Sequence, residues 1–314
     1  MISLESKIAG EYNIVIKKPD GTTKETGWFH NLILNSGLDR MAIDDPFNPI
    51  IDCVRVGTGN STPIPTQTQL DAEIAHISGG PNFHAQSVVN ADTPTYATTW
   101  QYGWAFAQGA VIGNIQEVGI GGDTGPLFSR SLILDPSGNP TTITLIAIDQ
   151  LIVYYRLTMS PPVTDGAGTV TLGSTNYPFQ TRIFHSTNMY MDTYFFANSN
   201  GFATPGITAT FAPPAALVPL GTYAYMGPNT VPSPGYWDIQ GAGGRVPYIP
   251  GTYYQDWTFP YGPTFGNDPN GVGIQGIIFG GGQYNLYQVL FPTPIPKTNT
   301  RTLSLTFRFS WNRA

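Results

Sequence analysis

Ile115-Gln116-Glu117-Val118-Gly119-Ile120-Gly121-Gly122 is echoed by Ile274-Gln275-Gly276-Ile277-Ile278-Phe279-Gly280-Gly281, at a constant offset of 159 (274 less 115). The same offset carries Leu127-Phe128 onto Leu286-Tyr287, so the spacing survives the intervening loop. Each copy then closes on a long run of period two. Leu151, Val153, Tyr155, Leu157 and Met159 alternate with Ile152, Tyr154, Arg156 and Thr158; Leu303, Leu305, Phe307, Phe309 and Trp311 alternate with Ser304, Thr306, Arg308 and Ser310. Successive side chains of a strand point to opposite faces, so such runs are strands with one buried face. Here the offset is 152 (303 less 151), and the missing residues fall in the loop that the first copy fills with Asp135-Pro136-Ser137-Gly138-Asn139-Pro140. A fixed spacing broken only at a turn is what duplication of one β-module leaves behind. It predicts an all-β chain of two β-sandwich-like modules with few short helices and long Gly, Pro and aromatic loops.

The best boundary is Pro161-Pro162, because proline cannot donate to a ladder and pushes the preceding residue out of the helical region. The modules are therefore expected at residues 1–160 and 161–314. Composition agrees with β structure. Charged residues are 11% of the 314, Gly 36 and Pro 28 mark many turns, and an aromatic content of 13% is too high for a disordered chain. The polar surface must come from Thr, Asn, Ser and Gln. A net charge of −6 offers nothing to attract nucleic-acid phosphates or anionic lipid, so nucleic acid is not an expected partner. Cys53 is the only cysteine, which excludes an intramolecular disulfide and a thiolate metal cluster and suggests core packing. No stretch approaches the ~18 apolar residues of a membrane helix, and no basic segment followed by an apolar run opens the chain.

Along the first module, Tyr12, Ile14 and Ile16 alternate into the turn Pro19-Asp20-Gly21, with a hairpin return over residues 25–29. Ser36 is placed to cap a short helix over Leu38 to Ala42. Thr68 to Ala75 is a second small helical candidate, and Val54 to Gly59 a short strand ending in glycines. Further strands are expected at Ser87 to Val89, Thr98 to Phe106, Ile115 to Ile120, Leu127 to Leu134 and Ile143 to Met159. In the second module they are expected at Thr169 to Leu172, Phe179 to Phe184 and Met189 to Phe196. Residues 205–269 differ in texture: Pro, Gly, Tyr and Trp crowd a nearly uncharged stretch. Tyr236, Trp237, Tyr253, Tyr254 and Trp257 are its candidate interface residues, since aromatics anchor subunit contacts. They serve equally well to fill a local core.

Several short motifs suggest chemistry that their context does not support. Asp123-Thr124-Gly125 has the spacing of an aspartic-protease carboxylate, but no second such motif exists to share the proton, and Asp and Gly are ordinary turn residues. Gly271-Val272-Gly273-Ile274-Gln275-Gly276 has dinucleotide-loop spacing, yet a β-run follows it where a helix N-terminus is needed. His30, His76, His84 and His185 form no ligand pair, and Asp44-Asp45 with Asp52 nearby lacks calcium-loop spacing. Paired carboxylates of a glycosidase cannot be picked out. No catalytic residue, cofactor or metal is assigned.

In order, Asn31 to Arg40 (Asn-Leu-Ile-Leu-Asn-Ser-Gly-Leu-Asp-Arg), Val56 to Pro63, Leu70 to Ala75, Ile115 to Ile120, Leu127 to Arg130 and the closing Val153 to Leu157 make a succession. It resembles tailed-bacteriophage virion proteins of the tail-fibre and tail-associated kind, over about residues 25 to 160. The resemblance implies a non-enzymatic structural component of the virion, made in the host bacterial cytoplasm. It would be homo-oligomeric and docked to other virion proteins of the tail, neck or collar, baseplate or fibre attachment. The long terminal strands are then expected to supply edges for assembly. The second half keeps the echoed strands but lacks the Asn-Leu-Ile-Leu-Asn-Ser-Gly-Leu-Asp segment and carries the aromatic insertion. An alternative follows from that insertion: a tail-associated protein that binds or cleaves host-surface glycan, with residues 205–269 as the sugar platform.

Overall fold

The computed structural model describes residues 1–42, 51–89, 97–160, 166–184, 206–210, 237–239, 244–263, 273–281 and 285–314. The chain is all-β, with one short helix, α1 (Asn35–Arg40), among these residues. A nine-stranded sheet has the order β18 (Gly244–Arg245), β19 (Tyr254–Tyr261), β22 (Leu303–Arg313), β1 (Ile2–Lys17), β13 (Gln150–Ser160), β8 (Ala97–Ala105), β7 (Phe83–Val89). β2 (Thr23–Glu25) and β3 (Phe29–His30) also pair with β1. A five-stranded sheet runs β4 (Leu32–Ile33), β11 (Leu127–Leu132), β10 (Glu117–Gly121), β5 (Cys53–Gly57), β6 (Glu73–Ile77). β9 (Gly113–Ile115) and β12 (Ile143–Leu145) form a two-stranded ribbon. A six-stranded sheet runs β14 (Gly166–Leu172), β15 (Thr175–Phe184), β21 (Asn285–Ile295), β20 (Ile274–Gly281), β16 (Gly206–Thr210), β17 (Trp237–Ile239).

The period-two runs behave as their sequence dictates. Leu151, Val153, Tyr155, Leu157 and Met159 of β13 are buried, as are Leu303, Leu305, Phe307, Phe309 and Trp311 of β22. Burying each such side chain contributes about 1.5–3 kcal/mol, so these two strands hold much of the core. Both flank β1. β13 pairs with it antiparallel from Lys7↔Ser160 to Lys17↔Gln150, and β22 pairs parallel from Ile2↔Phe307 to Ile8↔Arg313. The terminal strands are therefore interior to the sheet, and the expectation that they supply its edges is corrected: β8 covers β13 and β19 covers β22.

Strands from both sides of Pro161 share this sheet, and one hydrophobic cluster runs from Ile2 and Tyr12 through Trp104 and Tyr155 to Phe259, Phe291 and Trp311. The two expected modules thus interleave through β1, β19 and β22. Pro161-Pro162 itself lies outside the described residues. The first half of β1 was not expected from sequence, although Ile2, Leu4, Ser6 and Ile8 are buried in alternation with exposed Ser3, Glu5 and Lys7.

Both echoed segments become the first strand of an antiparallel hairpin. Gly121 pairs with Leu127 and Gly280 with Leu286, at the common offset. Further along the registers part by one residue, because a bulge beside Gly121 sets Ile120 opposite Ser129, whereas Phe279 faces Tyr287. The strand expected over Ile115 to Ile120 is broken at Gln116. Its N–H donates to Gly57 O and its carbonyl accepts from Ile133 N, carrying the chain from the ribbon into the five-stranded sheet.

Two local expectations are corrected. The helix is α1, beginning at Asn35, and Ser36 does not cap it; the Ser36 hydroxyl donates to Leu127 O at 2.7 Å. Thr68 to Ala75 is not helical: residues 68–72 are loop, and β6 starts at Glu73, because the backbone there is drawn to a buried carboxylate and to β5. The strand expected over Met189 to Phe196 lies outside the described residues.

Candidate functional site: a buried ion pair and the docked C-terminal strand

Antiparallel pairing of β10 with β11 sets Glu117 opposite Leu132 and Arg130 opposite Gly119, so the two charged side chains are diagonal neighbours on one face. Both are fully buried. Arg130 donates to Glu117 Oε2 from Nε at 3.1 Å and from Nη2 at 2.8 Å. Its remaining donors reach Gln67 Oε1 at 2.7 Å and Asp71 Oδ2 at 2.6 Å. The Glu117 carboxylate also accepts the backbone N–H of Gly59 at 3.0 Å, Asp71 at 3.0 Å and Ala72 at 2.8 Å. Burying a charge is costly unless it is paired and hydrogen-bonded, and here both conditions are met from several directions. The consequence is mechanical: one ion pair holds both ends of the loop at residues 58–72 against the sheet.

Asp71 closes the cluster. Burial pushes its carboxyl up, but the hydroxyl and N–H of Ser61 and the Arg130 guanidinium together outweigh that and hold it below the usual carboxylate range. Gly59 is required here, since a Cβ would fall 2.5 Å from Glu117 Oε1.

The segment Asn31 to Arg40 is the dock for the last strand. Gly37 lies so close to β11 that a Cβ would come 2.1 Å from Phe128 O, and Leu34 N donates to that same oxygen at 2.9 Å. From the other side, Trp311 Nε1 donates to Leu38 O at 2.8 Å, and Arg313 bonds Ile33 O and Asn35 Oδ1. Asp39 Oδ1 accepts from the Tyr248 hydroxyl at 2.6 Å and from Gly251 N at 2.7 Å. The Tyr248 ring stacks on Trp311 at 6.1 Å between centroids. Burial, with the Asp39 carboxylate next, keeps the Tyr248 phenol protonated well above its ordinary range.

The candidate interface residues separate. Trp257 is buried in its own chain, stacked on Phe259, because β19 turns Gln255, Trp257, Phe259 and Tyr261 inward; of the two roles open to it, it fills the core. Tyr254 points to the other face, half-buried beneath the Arg308 guanidinium at 3.5 Å, which is itself held by Asp256. Tyr253 is half-buried with φ 53, and its carbonyl accepts from Trp311 N. Tyr236 lies outside the described residues, as does the side chain of Trp237 in β17.

Searches against family models, curated proteins and solved structures gave no match to this chain. Its chemistry must be read from its own residues. Asp123 stands in the exposed turn between β10 and β11, with Gly125 at φ 90, and Arg55 donates to the Asp123 carbonyl. Gly273 precedes β20 at φ 99, where a Cβ would meet Ile295 O at 2.6 Å. Cys53 is buried, and burial pushes its thiol up. Among the described residues no group of three or more His, Cys, Asp or Glu is placed to hold a metal ion, and no helix is long and apolar enough to cross a membrane. Asp44-Asp45 and His185 lie outside the described residues.

Sequence reasoning named Glu117 and Arg130 without pairing them. The signal was available at the offset of 159, which puts Gly276 at the position of Glu117 and Val289 at that of Arg130. Both charges are absent together from the echoed segment, as a buried pair requires.

Proposed function

We propose that this chain is a structural component of a tailed-phage virion, of the tail, neck or collar, baseplate or fibre attachment. It acts by homo-oligomeric assembly and by docking to neighbouring virion proteins, not by catalysis. One observation carries the reading. All but the closing Val153 to Leu157 of the segments that bear the resemblance to tail-associated proteins adjoin in and around the five-stranded sheet: Asn31 to Arg40 supplies β4 and α1, Val56 to Pro63 and Leu70 to Ala75 meet at Glu117, and Leu127 to Arg130 lies in β11. Their polar side chains are committed to one another. Glu117, Arg130, Asp71, Ser61 and Gln67 close a network in which each charge serves to fix a loop, and Asp39, Asn35 and Arg313 fix the last strand in the same way.

A nonsense mutation in the gene tests the reading. Particles made without the chain are expected to stall at a defined tail-assembly step and to be completed by adding the purified protein. Particles that assemble normally, or purified protein that turns over a host polysaccharide with loss of turnover on a single Asp or Glu substitution, would overturn it.

A further inference from the structure

With both terminal strands interior, the contact that assembly needs must be sought at other sheet edges. Among the described residues these edges differ in how they are protected from pairing. β4, β17 and β18 are two or three residues long. β6 carries Glu73, ion-paired to Arg55 at 3.1 Å and hydrogen-bonded to His76 at 2.8 Å, and the side chains of residues 84–89 in β7 lie outside the described residues. β14 has no such device. Gly166-Ala167-Gly168-Thr169-Val170-Thr171-Leu172 contains no charge and no proline, and it pairs with β15 in unbroken register from Gly166↔Thr181 to Leu172↔Thr175. Edge strands that must stay single are kept so by charge, proline, bulges or shortness, and a long uncharged one is a template for another strand.

We propose that β14 is the surface through which two copies of this chain associate, by antiparallel edge-to-edge pairing about a two-fold axis at Thr169. The proposal rests on the assembly reading above and gives it a contact. Leu172 and Thr175 flank the two-residue turn Gly173-Ser174, with Gly173 at φ 63, and such a turn is closed by a hydrogen-bonded pair. Alternation from that pair directs the N–H and C=O of Val170 and Gly168 to β15 and those of Thr171, Thr169 and Ala167 outward. The side chains of these three outward residues are exposed.

A second copy fits this edge because the edge is its own complement. With Thr169 opposite Thr169, Ala167 faces Thr171 on both sides of the axis. Every outward N–H then meets an outward C=O, and the two copies of Thr169 make a favourable cross-strand pair with no like charges opposed. On the other face Val170 and Phe179 are buried, and the Phe179 ring packs on Phe291 at 6.4 Å, so the sheet edge is held firm from within. Gly168 makes this possible: the Phe179 ring lies where a Cβ would stand, 2.6 Å from it.

The test is sedimentation velocity on the full chain over a range of concentrations. Wild type is expected to self-associate. Thr169→Lys, which opposes two ammonium groups at the axis, and Thr169→Pro, which removes only an outward N–H, are each expected to raise the dissociation constant at least ~10-fold. Ser137→Lys, in the exposed turn at residues 135–138, is expected to leave it unchanged. A short thiol-specific cross-linker should join copies of Thr169→Cys and leave Ser137→Cys monomeric. Wild-type association that neither Thr169→Lys nor Thr169→Pro weakens, with no cross-link at residue 169, overturns the β14 contact and leaves the assembly reading standing. A wild-type chain that stays monomeric at every concentration overturns both.

Discussion

Replacing Arg130 by methionine removes the countercharge of a fully buried carboxylate while keeping much of the side chain's volume. Glu117 would lose the guanidinium at 2.8 Å but keep three backbone donors, from Gly59, Asp71 and Ala72. Breaking a buried pair costs about 3–5 kcal/mol, and the surviving donors place Arg130→Met near the lower end, about 3 kcal/mol. Glu117→Gln is expected to cost a similar amount, since Arg130 would keep Asp71 and Gln67. The double variant should cost less than the sum of the two, by roughly 1–3 kcal/mol, because no fully buried charge is left alone; Asp71, which loses Arg130 as well, is part-exposed and keeps its bonds from Ser61. Urea denaturation measures the global loss. Hydrogen exchange measures the local one: the amides of Gly59, Asp71 and Ala72 should lose protection ahead of those in β13. A cost below about 1 kcal/mol for Arg130→Met, the range of an exposed ion pair, would refute the reasoning, as would strict additivity in the double variant.

Gly37→Ala must displace β11, since its Cβ would lie 2.1 Å from Phe128 O; a loss of about 1–3 kcal/mol is expected in urea, with weakened exchange protection in α1. Trp257→Ala should cost about 3–5 kcal/mol, as for a core aromatic, and Tyr254→Ala distinctly less; equal small losses would show that Trp257 does not fill the core. Alkaline pH should destabilise the fold through Tyr155. Burial pushes its phenol up to about 12, so its neutral form is the one the fold keeps. That contribution is whole below pH ~10, the unfolded value, and is lost as pH rises through about 12, amounting to roughly 2–3 kcal/mol. Urea midpoints followed across this window should fall for wild type and fall less for Tyr155→Phe.

The strands of period two were legible because burial on one face of a sheet leaves a pattern in single residues: Leu151 to Met159 and Leu303 to Trp311 read correctly at every position. The turn at Asp123-Thr124-Gly125 was legible for a similar reason, since Gly125 needs the left-handed backbone it adopts. What sequence hid was pairing between distant strands. Ile2 to Ile8 alternates as clearly as β13, but nothing local says that it will run parallel to residues 307–313, and that pairing joins the two halves. Thr68 to Ala75 misled because the groups that override its helical pattern, Glu117 and β5, are remote in sequence. Trp257 was ambiguous by residue type, and only the phase of β19 against Phe307 and Phe309 decides which face it takes.

The central claim, that this chain is a virion part acting by assembly, is tested most directly by imaging intact phage particles labelled with an antibody against it. The account predicts label at a fixed position along the tail, neck or baseplate of every particle, in more than one copy. Purified particles that carry no label, with the protein recovered only in the free fraction of the lysate, would contradict it.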